Sequence, residues 1–216
     1  MAGLKRVIIT GGTGGFGKAI AIEFARKGWE VIALGRSDLD LGDSRAVTRY
    51  FQSNACDLLV CCAGIIRDVP LSRMEEEQWD DVFAINFKAA ARCATAIVPA
   101  MLAKGRGHVI FVSSYAARHP AIGQAAYATA KAALHGLARE MAETYGRSGL
   151  RFNVVLPGFL ETPMTESVSE KRKEVIRGAH SLDHFNTPEA AAGFIRFLEE
   201  EMPYTSGQVF SLDSRL

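Results

Sequence analysis

Arg6-Val7-Ile8-Ile9-Thr10-Gly11-Gly12-Thr13-Gly14-Gly15-Phe16-Gly17 is the stretch whose reading decides the fold. Its first five residues are an apolar run rich in β-branched side chains, the pattern of a parallel strand buried on both faces. After the glycines, Lys18-Ala19-Ile20-Ala21-Ile22-Glu23-Phe24-Ala25-Arg26-Lys27 has helical spacing and stops at Gly28. A glycine-rich turn therefore joins a strand to a helix N-terminus. Free amide N–H groups and the positive end of the helix dipole gather there, and a backbone without side chains lets an anion come close. The arrangement reads as a nucleotide diphosphate site.

Outward from this turn, strands and helices alternate. Strands are expected at 29–34, 57–62, 109–114, 151–156 and 206–212. Helices are expected at 43–51, over 75–103 as two helices or one with a bend, at 125–145, and at 188–200. The last opens on Pro188 with Thr187 as its N-cap. Alternation of this kind means an α/β chain, a Rossmann-like doubly wound parallel sheet in one domain spanning 1–216. Only residues 37–42 lie between the second strand and the next helix. A parallel crossover needs about a dozen residues. One βα unit is therefore missing after the second strand, and that edge of the sheet is trimmed. Residues 165–184 are polar and weakly patterned, and read as a mobile lid or a surface helix pair.

Composition narrows the function. Nearly half of the 216 residues are apolar and the net charge is +1, so nothing electrostatic favours nucleic acid or an anionic membrane. The N-terminus, from Met1-Ala2-Gly3 onward, carries no signal-peptide pattern, and no apolar run is expected to approach membrane-spanning length. Cys56, Cys61, Cys62 and Cys93 lack zinc spacing and read as small buried thiols in a reducing cytoplasm, with no metal site.

The candidate chemistry sits on Tyr127-Ala128-Thr129-Ala130-Lys131. A Tyr and a Lys four apart share one helical face. An ammonium beside a phenol is expected to lower its pKa, which makes Tyr127 a candidate general acid/base. Ser114 is expected to close a buried strand, with its hydroxyl at the carboxyl edge where open α/β sheets bind ligands. Asn86 lies mid-helix among apolar neighbours, so its amide needs partners, and a kink with a bound water is one way to supply them. The second strand ends in Gly35-Arg36 rather than in the acidic residue that suits an NAD ribose. A guanidinium there suits a 2′-phosphate, with Lys18 adding charge, so NADP(H) is preferred over NAD(H). Asp40 is placed to pass the adenine. Gly64 lets the backbone run close to a ligand. Small residues of the 125–145 helix (Ala126, Ala130, Ala133, Gly136) allow close helix packing, with a dimer interface as one use. Arg118 suits either an anionic substrate or carrier-protein phosphate, or plain solvation. His119 and His184 read as hydrogen-bonded loop residues.

Taken in order, these motifs resemble the short-chain dehydrogenase/reductase family over nearly the whole chain. Thr10-Gly11-x-x-x-Gly15-x-Gly17 matches its cofactor motif, Pro157-Gly158 followed by Thr162 its nicotinamide-side motif, and Asn86, Ser114, Tyr127 and Lys131 its catalytic tetrad. The run Asn153-Val154-Val155-Leu156-Pro157-Gly158-Phe159-Leu160-Glu161-Thr162 is most similar to 3-oxoacyl-carrier-protein reductases and related ketoreductases. Cys61-Cys62-Ala63-Gly64 stands where the family usually has Asn-Asn-Ala-Gly. The resemblance implies reduction of a ketone or 3-oxoacyl thioester, possible carriage of the substrate on a carrier protein, and a homodimer or homotetramer. It implies that Tyr127 gives the proton, Ser114 holds the substrate oxygen, Lys131 holds the ribose and Asn86 keeps a water. It further implies that Gly11, Gly15, Phe16 and Gly17 cradle the diphosphate, that Ala63 and Gly64 line the cofactor, and that Thr162 meets the carboxamide. The alternative is a non-catalytic NADP(H)-binding subunit or sensor on the same fold.

Overall fold

The computed structural model describes residues 4–215, so Met1–Gly3 and Leu216 lie outside the described residues. Six parallel strands form one sheet in the order β2-β1-β3-β4-β5-β6. They are β1 (Arg6–Thr10), β2 (Glu30–Leu34), β3 (Leu58–Cys61), β4 (Gly107–Val112), β5 (Leu150–Leu156) and β6 (Val209–Ser211). The helices are α1 (Gly15–Arg26), α2 (Ser44–Ser53), α3 (Glu76–Phe83), α4 (Ala89–Lys104), α5 (Ala125–Tyr145), α6 (Glu170–Gly178) and α7 (Pro188–Glu200).

The strands are apolar throughout because both faces are covered. Alternate residues divide between the two layers, as a period of two requires. Ile8, Leu59, Val109, Phe111, Phe152 and Val154 pack under α2, α4 and α5. Val7, Ile9, Leu58, Val60, Ile110 and Val155 pack under α1 and α7. β2 is the outer strand and pairs only with β1, so the trimmed edge expected from residues 37–42 is present. The chain turns from β2 across β1 to β3, so the point where strand order reverses lies between β1 and β3. Ligands of doubly wound sheets bind at such a point.

Several expectations need correction. α1 begins at Gly15, three residues before the expected Lys18, because the glycine turn itself winds into the first helical turn. β4 ends at Val112, so Ser114 lies past the strand instead of closing it. The segment 165–184 holds one helix, α6, after a single turn at Pro163–Thr165, and is not a helix pair. Glu76–Lys104 is one helical path, long and apolar enough by length and composition to cross a membrane, with a mean hydropathy of 1.2 in its most apolar window. Its apolar face is spent inside the fold, where Cys93, Ala94, Ile97 and Met101 pack against the sheet. In α5, Ala126 and Ala130 pack on Val82 of the same chain, and Gly136 is exposed. The four cysteines are free. Cys56, Cys61 and Cys93 are buried and Cys62 is partly so, and burial raises every thiol pKa.

Candidate active site

Sheet register sets the site. Thr10 pairs with Cys61, Cys61 with Phe111, and Val112 with Val155, so four strands end at one level. The residues that follow them are Gly11, Cys62–Ala63–Gly64, Ser113–Ser114 and Pro157–Gly158. All of them emerge along the same carboxyl edge.

The glycine turn is packed too tightly for side chains. Gly11 has φ +67°, and a Cβ on it would lie 2.7 Å from the Ala63 backbone. A Cβ on Gly15 would lie 2.7 Å from Thr162 Cβ, so the segment after β5 closes down on the turn. Phe16 is buried beneath it. Ala63 N–H approaches Thr10 Oγ1 at 3.4 Å, which ties the β3 exit to the β1 exit.

Asn86 lies at the centre of a π turn, Ala84–Lys88, that joins α3 to α4. Such bulges arise where a helix absorbs an extra residue, often at functional sites. The side chain is buried and its Nδ2 donates to Val82 O and Ile65 O, each at 2.9 Å. Its Oδ1 accepts from Ile65 N–H at 3.2 Å. Protein groups thus supply the partners, and the expected kink is the π turn. A Cβ on Gly64 would lie 2.7 Å from Asn86 Oδ1 and 3.5 Å from Lys131 Nζ. The chain places Asn86 and Lys131 at one glycine.

Lys131 is buried, and its ammonium donates to Val112 O at 2.8 Å. That is the one protein acceptor among the described residues for three N–H bonds. Burial lowers its pKa to about 8, against raising by Cys62 and Cys61. Lys131 Nζ is 5.9 Å from the Tyr127 ring centroid. The expected lowering of the Tyr127 pKa is not what the structure shows. The ring keeps some exposure, yet burial pushes the phenol up to about 12, with the Ser114 hydroxyl bond pulling the other way. Desolvation is the largest cause, Asp68 and Cys62 add to it, and Lys131 is not among the groups that move the phenol.

Ser114 caps a short 3₁₀ turn, Tyr115–Ala117, and its Oγ accepts from Ala116 N–H at 3.2 Å. Two residues were not anticipated. Ser113 Oγ donates to the Lys131 carbonyl at 3.0 Å and lies 2.9 Å from His135 Nε2. This pins α5 to the end of β4 and sets the height of Tyr127 and Lys131 against Ser114. The Ser113-Ser114 doublet was the signal in the sequence, because two hydroxyls at a strand exit point to opposite faces.

The remaining candidates are more open. Arg36 and Lys18 are exposed, with no hydrogen bond or ion pair to either side chain among the described residues. Asp40 is exposed, and its Oδ1 accepts from Gly42 N–H at 2.9 Å. Arg118 donates to Ser211 Oγ at 3.0 Å. His119 stacks on Tyr115, and His184 Nδ1 is 2.8 Å from Leu182 O. Pro157 is buried, and its carbonyl accepts from Asn186 Nδ2 at 3.0 Å. Gly158 takes φ +87° against Asp213. Thr162 N–H donates to Thr165 Oγ1 at 3.0 Å.

Comparison with known proteins decides the family. The profile of the family described as short chain dehydrogenase matches residues 5–46 and 40–173. The chain belongs to the short-chain dehydrogenase/reductase family. It is an oxidoreductase acting on CH–OH and C=O groups. The two matched pieces meet at residues 40–46, beside the trimmed sheet edge. The Thermotoga maritima 3-oxoacyl-[acyl-carrier-protein] reductase FabG is 34% identical over 239 residues, covering 98% of this chain and 97% of that protein. That alignment is longer than this 216-residue chain, so the relative has segments that this family member lacks. The Mus musculus (3R)-3-hydroxyacyl-CoA dehydrogenase is 34% identical over 236 residues, covering 93% and 91%. A Beutenbergia cavernae structure assigned as an NAD(P)-dependent gluconate 5-dehydrogenase, with NADP bound at low occupancy, superimposes with a TM-score of 0.94 at 28% identity, covering 97% and 95%. Family members use NAD(H) or NADP(H).

Proposed function

We propose that this protein is an NADPH-dependent carbonyl reductase that converts a ketone or 3-oxoacyl thioester to a secondary alcohol. The observation that carries the reading is the meeting of Asn86 and Lys131 at Gly64, one helical turn from Tyr127 and its Ser114 neighbour. The residues fit a dinucleotide. Cβ atoms at Gly11, Gly12, Gly15 and Gly17 would run into neighbouring chain, so the turn keeps a bare backbone whose amides face an anion, and Lys131 has N–H bonds to spare for ribose hydroxyls. Gly11, Gly15, Phe16 and Gly17 hold the diphosphate, Ala63 and Gly64 flank the ribose, and Asp40 meets the adenine. Pro157, Gly158 and Thr162 bound the nicotinamide side. Arg36 takes the 2′-phosphate. When bound, the nicotinamide supplies the hydride.

The chain's own work is positioning and proton supply. Tyr127, protonated at neutral pH because burial raises its pKa, gives its phenolic proton to the substrate oxygen. Ser114 donates a hydrogen bond to that oxygen as charge develops on it. Lys131 holds the proton-donating geometry, and Asn86 keeps the proton path from solvent ordered. The chain acts as one domain over 1–216, in the cytoplasm, as a homodimer or homotetramer. Acyl thioesters are the leading substrate class because the FabG and hydroxyacyl-CoA dehydrogenase relatives are named for them.

Consumption of NADPH and of NADH with a 3-oxoacyl thioester tests the function, and Arg36→Ala tests the cofactor choice. The variant should lose about tenfold in NADPH affinity, the scale of one charge-assisted bidentate pair, with NADH unchanged. Equal loss for both cofactors contradicts the phosphate role.

The pH profile gives an independent check. Lys131 must be protonated to work, and its pKa in the cofactor-free chain is about 8. The protonated fraction is nearly full a unit or more below that value, half at it, and lost above it. The kcat/KM for NADPH, which reports the cofactor-free enzyme, should be near its plateau below about pH 7, at half of it near 8, and fall about tenfold per unit beyond. A profile level to pH 9.5 would contradict the assignment.

A further inference from the structure

The segment after β6 returns to the substrate side of the site. Arg215 lays its guanidinium over Tyr115, 3.6 Å from the ring centroid. Tyr115 immediately follows Ser114 and opens the 3₁₀ turn that Ser114 caps. Arg215 Nε donates to Asp213 Oδ2 at 2.8 Å and a second guanidinium nitrogen reaches the same oxygen, a forked pair with side chains 11% and 3% exposed. Asp213 in turn packs on Gly158, where a Cβ would lie 2.8 Å from Asp213 Cβ. Behind it, His180 is buried and bridges antiparallel to Arg215; its Nδ1 is 2.8 Å from Ile176 O, and its Nε2, 4.0 Å from Asp213 Oδ2, has no hydrogen-bond partner among the described residues. The carboxylate is thus committed to Arg215. A buried ion pair is costly unless its geometry is good, and this one spans the β4 exit and the β5 exit.

We propose that Arg215 and Asp213 are positioning residues for carbonyl reduction, holding Tyr115, and through it the Ser114 hydroxyl, at the Tyr127 phenol. The proposal rests on the carbonyl-reductase reading above. The Arg215 guanidinium meets the Tyr115 ring on the substrate half of the site, whereas Asp213 reaches Gly158 on the other side, so Arg215→Ala is the variant that isolates the ring contact. Stacking fixes the Tyr115 ring, the ring fixes the start of the turn, and the turn aims Ser114. The contact is to the Tyr115 ring, so the proposal assigns no role to its hydroxyl.

The test compares Arg215→Ala, Tyr115→Ala, Tyr115→Phe and the double alanine variant. Arg215→Ala should lower kcat on a 3-oxoacyl thioester about tenfold, the scale of a sub-ångström misplacement, with NADPH affinity within about twofold of wild type. Tyr115→Phe keeps the ring and should match wild type. The double variant should be no slower than the worse single one, because both break one tie. Hydrogen exchange at the Ala116 to His119 amides should quicken in Arg215→Ala. Unchanged kcat, unchanged exchange or multiplicative losses would each overturn the proposal. Loss of NADPH binding in Arg215→Ala would overturn it too, by showing a general structural role. Wild-type protein that reduces no ketone defeats the carbonyl-reductase reading instead, and the exchange comparison still decides whether the tie exists.

Discussion

Tyr127→Phe is expected to cut carbonyl reduction by about 10²–10⁴-fold, the range of a lost general acid, while NADPH binding stays within about twofold. The change removes one hydroxyl and keeps the ring, so the packing of Tyr127 against the Val82, Ala126 and Ala130 cluster survives. What disappears is the proton that the substrate oxygen needs. Ser114 and Lys131 cannot replace it. A serine hydroxyl is too weak an acid, and the Lys131 ammonium is anchored on Val112 O, 5.9 Å from the Tyr127 ring centroid, away from the place of the phenol. In the proposed mechanism cofactor affinity comes from the glycine turn, Arg36 and Lys131, which the substitution does not touch. Turnover close to wild type in Tyr127→Phe would defeat both the acid assignment and the mechanism built on it. Measuring NADPH binding by fluorescence in the same preparation separates lost chemistry from lost folding.

Gly17→Ala should be the more damaging change to the architecture. A Cβ on Gly17 would overlap the Gly11 carbonyl oxygen and lie 2.8 Å from its carbon. Both atoms are backbone of the turn, so neither can move without opening the cradle. The overpacking should cost about 1–3 kcal/mol of stability, and a distorted cradle should weaken NADPH about tenfold to a hundredfold. Gly193→Ala is the matched control, because α7 leaves nothing within 4 Å of a Cβ there. That substitution should raise the midpoint of thermal unfolding, since alanine favours a helix interior over glycine by about 0.5–1 kcal/mol. Gly17→Ala melting and binding like wild type would show that the turn is looser than its contacts imply.

Much of this was legible before any coordinates. α5 and α7 begin and end where helical spacing and the Thr187 cap put them, because both are long and end on clear signals. The missing βα unit was legible by counting residues 37–42, since reach is a covalent limit that no packing can evade. Local preference misled at α1, where Gly15 and Gly17, poor helix formers, fall inside the first turn at places where a Cβ would run into Thr162 or the Gly11 carbonyl. The Tyr127 pKa was misread because four-residue spacing brings a cation near, whereas burial is decided by the whole fold. The tie from Arg215 to Tyr115 joins residues a hundred positions apart and leaves no local pattern.

The π turn at Ala84–Lys88 has one more consequence. A helix is an angular ruler, and each residue advances it by about 100°. Deleting one residue there would restore regular winding, but it would also rotate α4 by that angle relative to α3. Val82 on one side is locked against α5, and Ile97 and Met101 on the other are locked against the sheet. Neither half can turn without exposing its apolar stripe to water. The irregular winding that offers Asn86 to Gly64 and Lys131 is therefore held in place by two cores on either side, like a twist clamped at both ends.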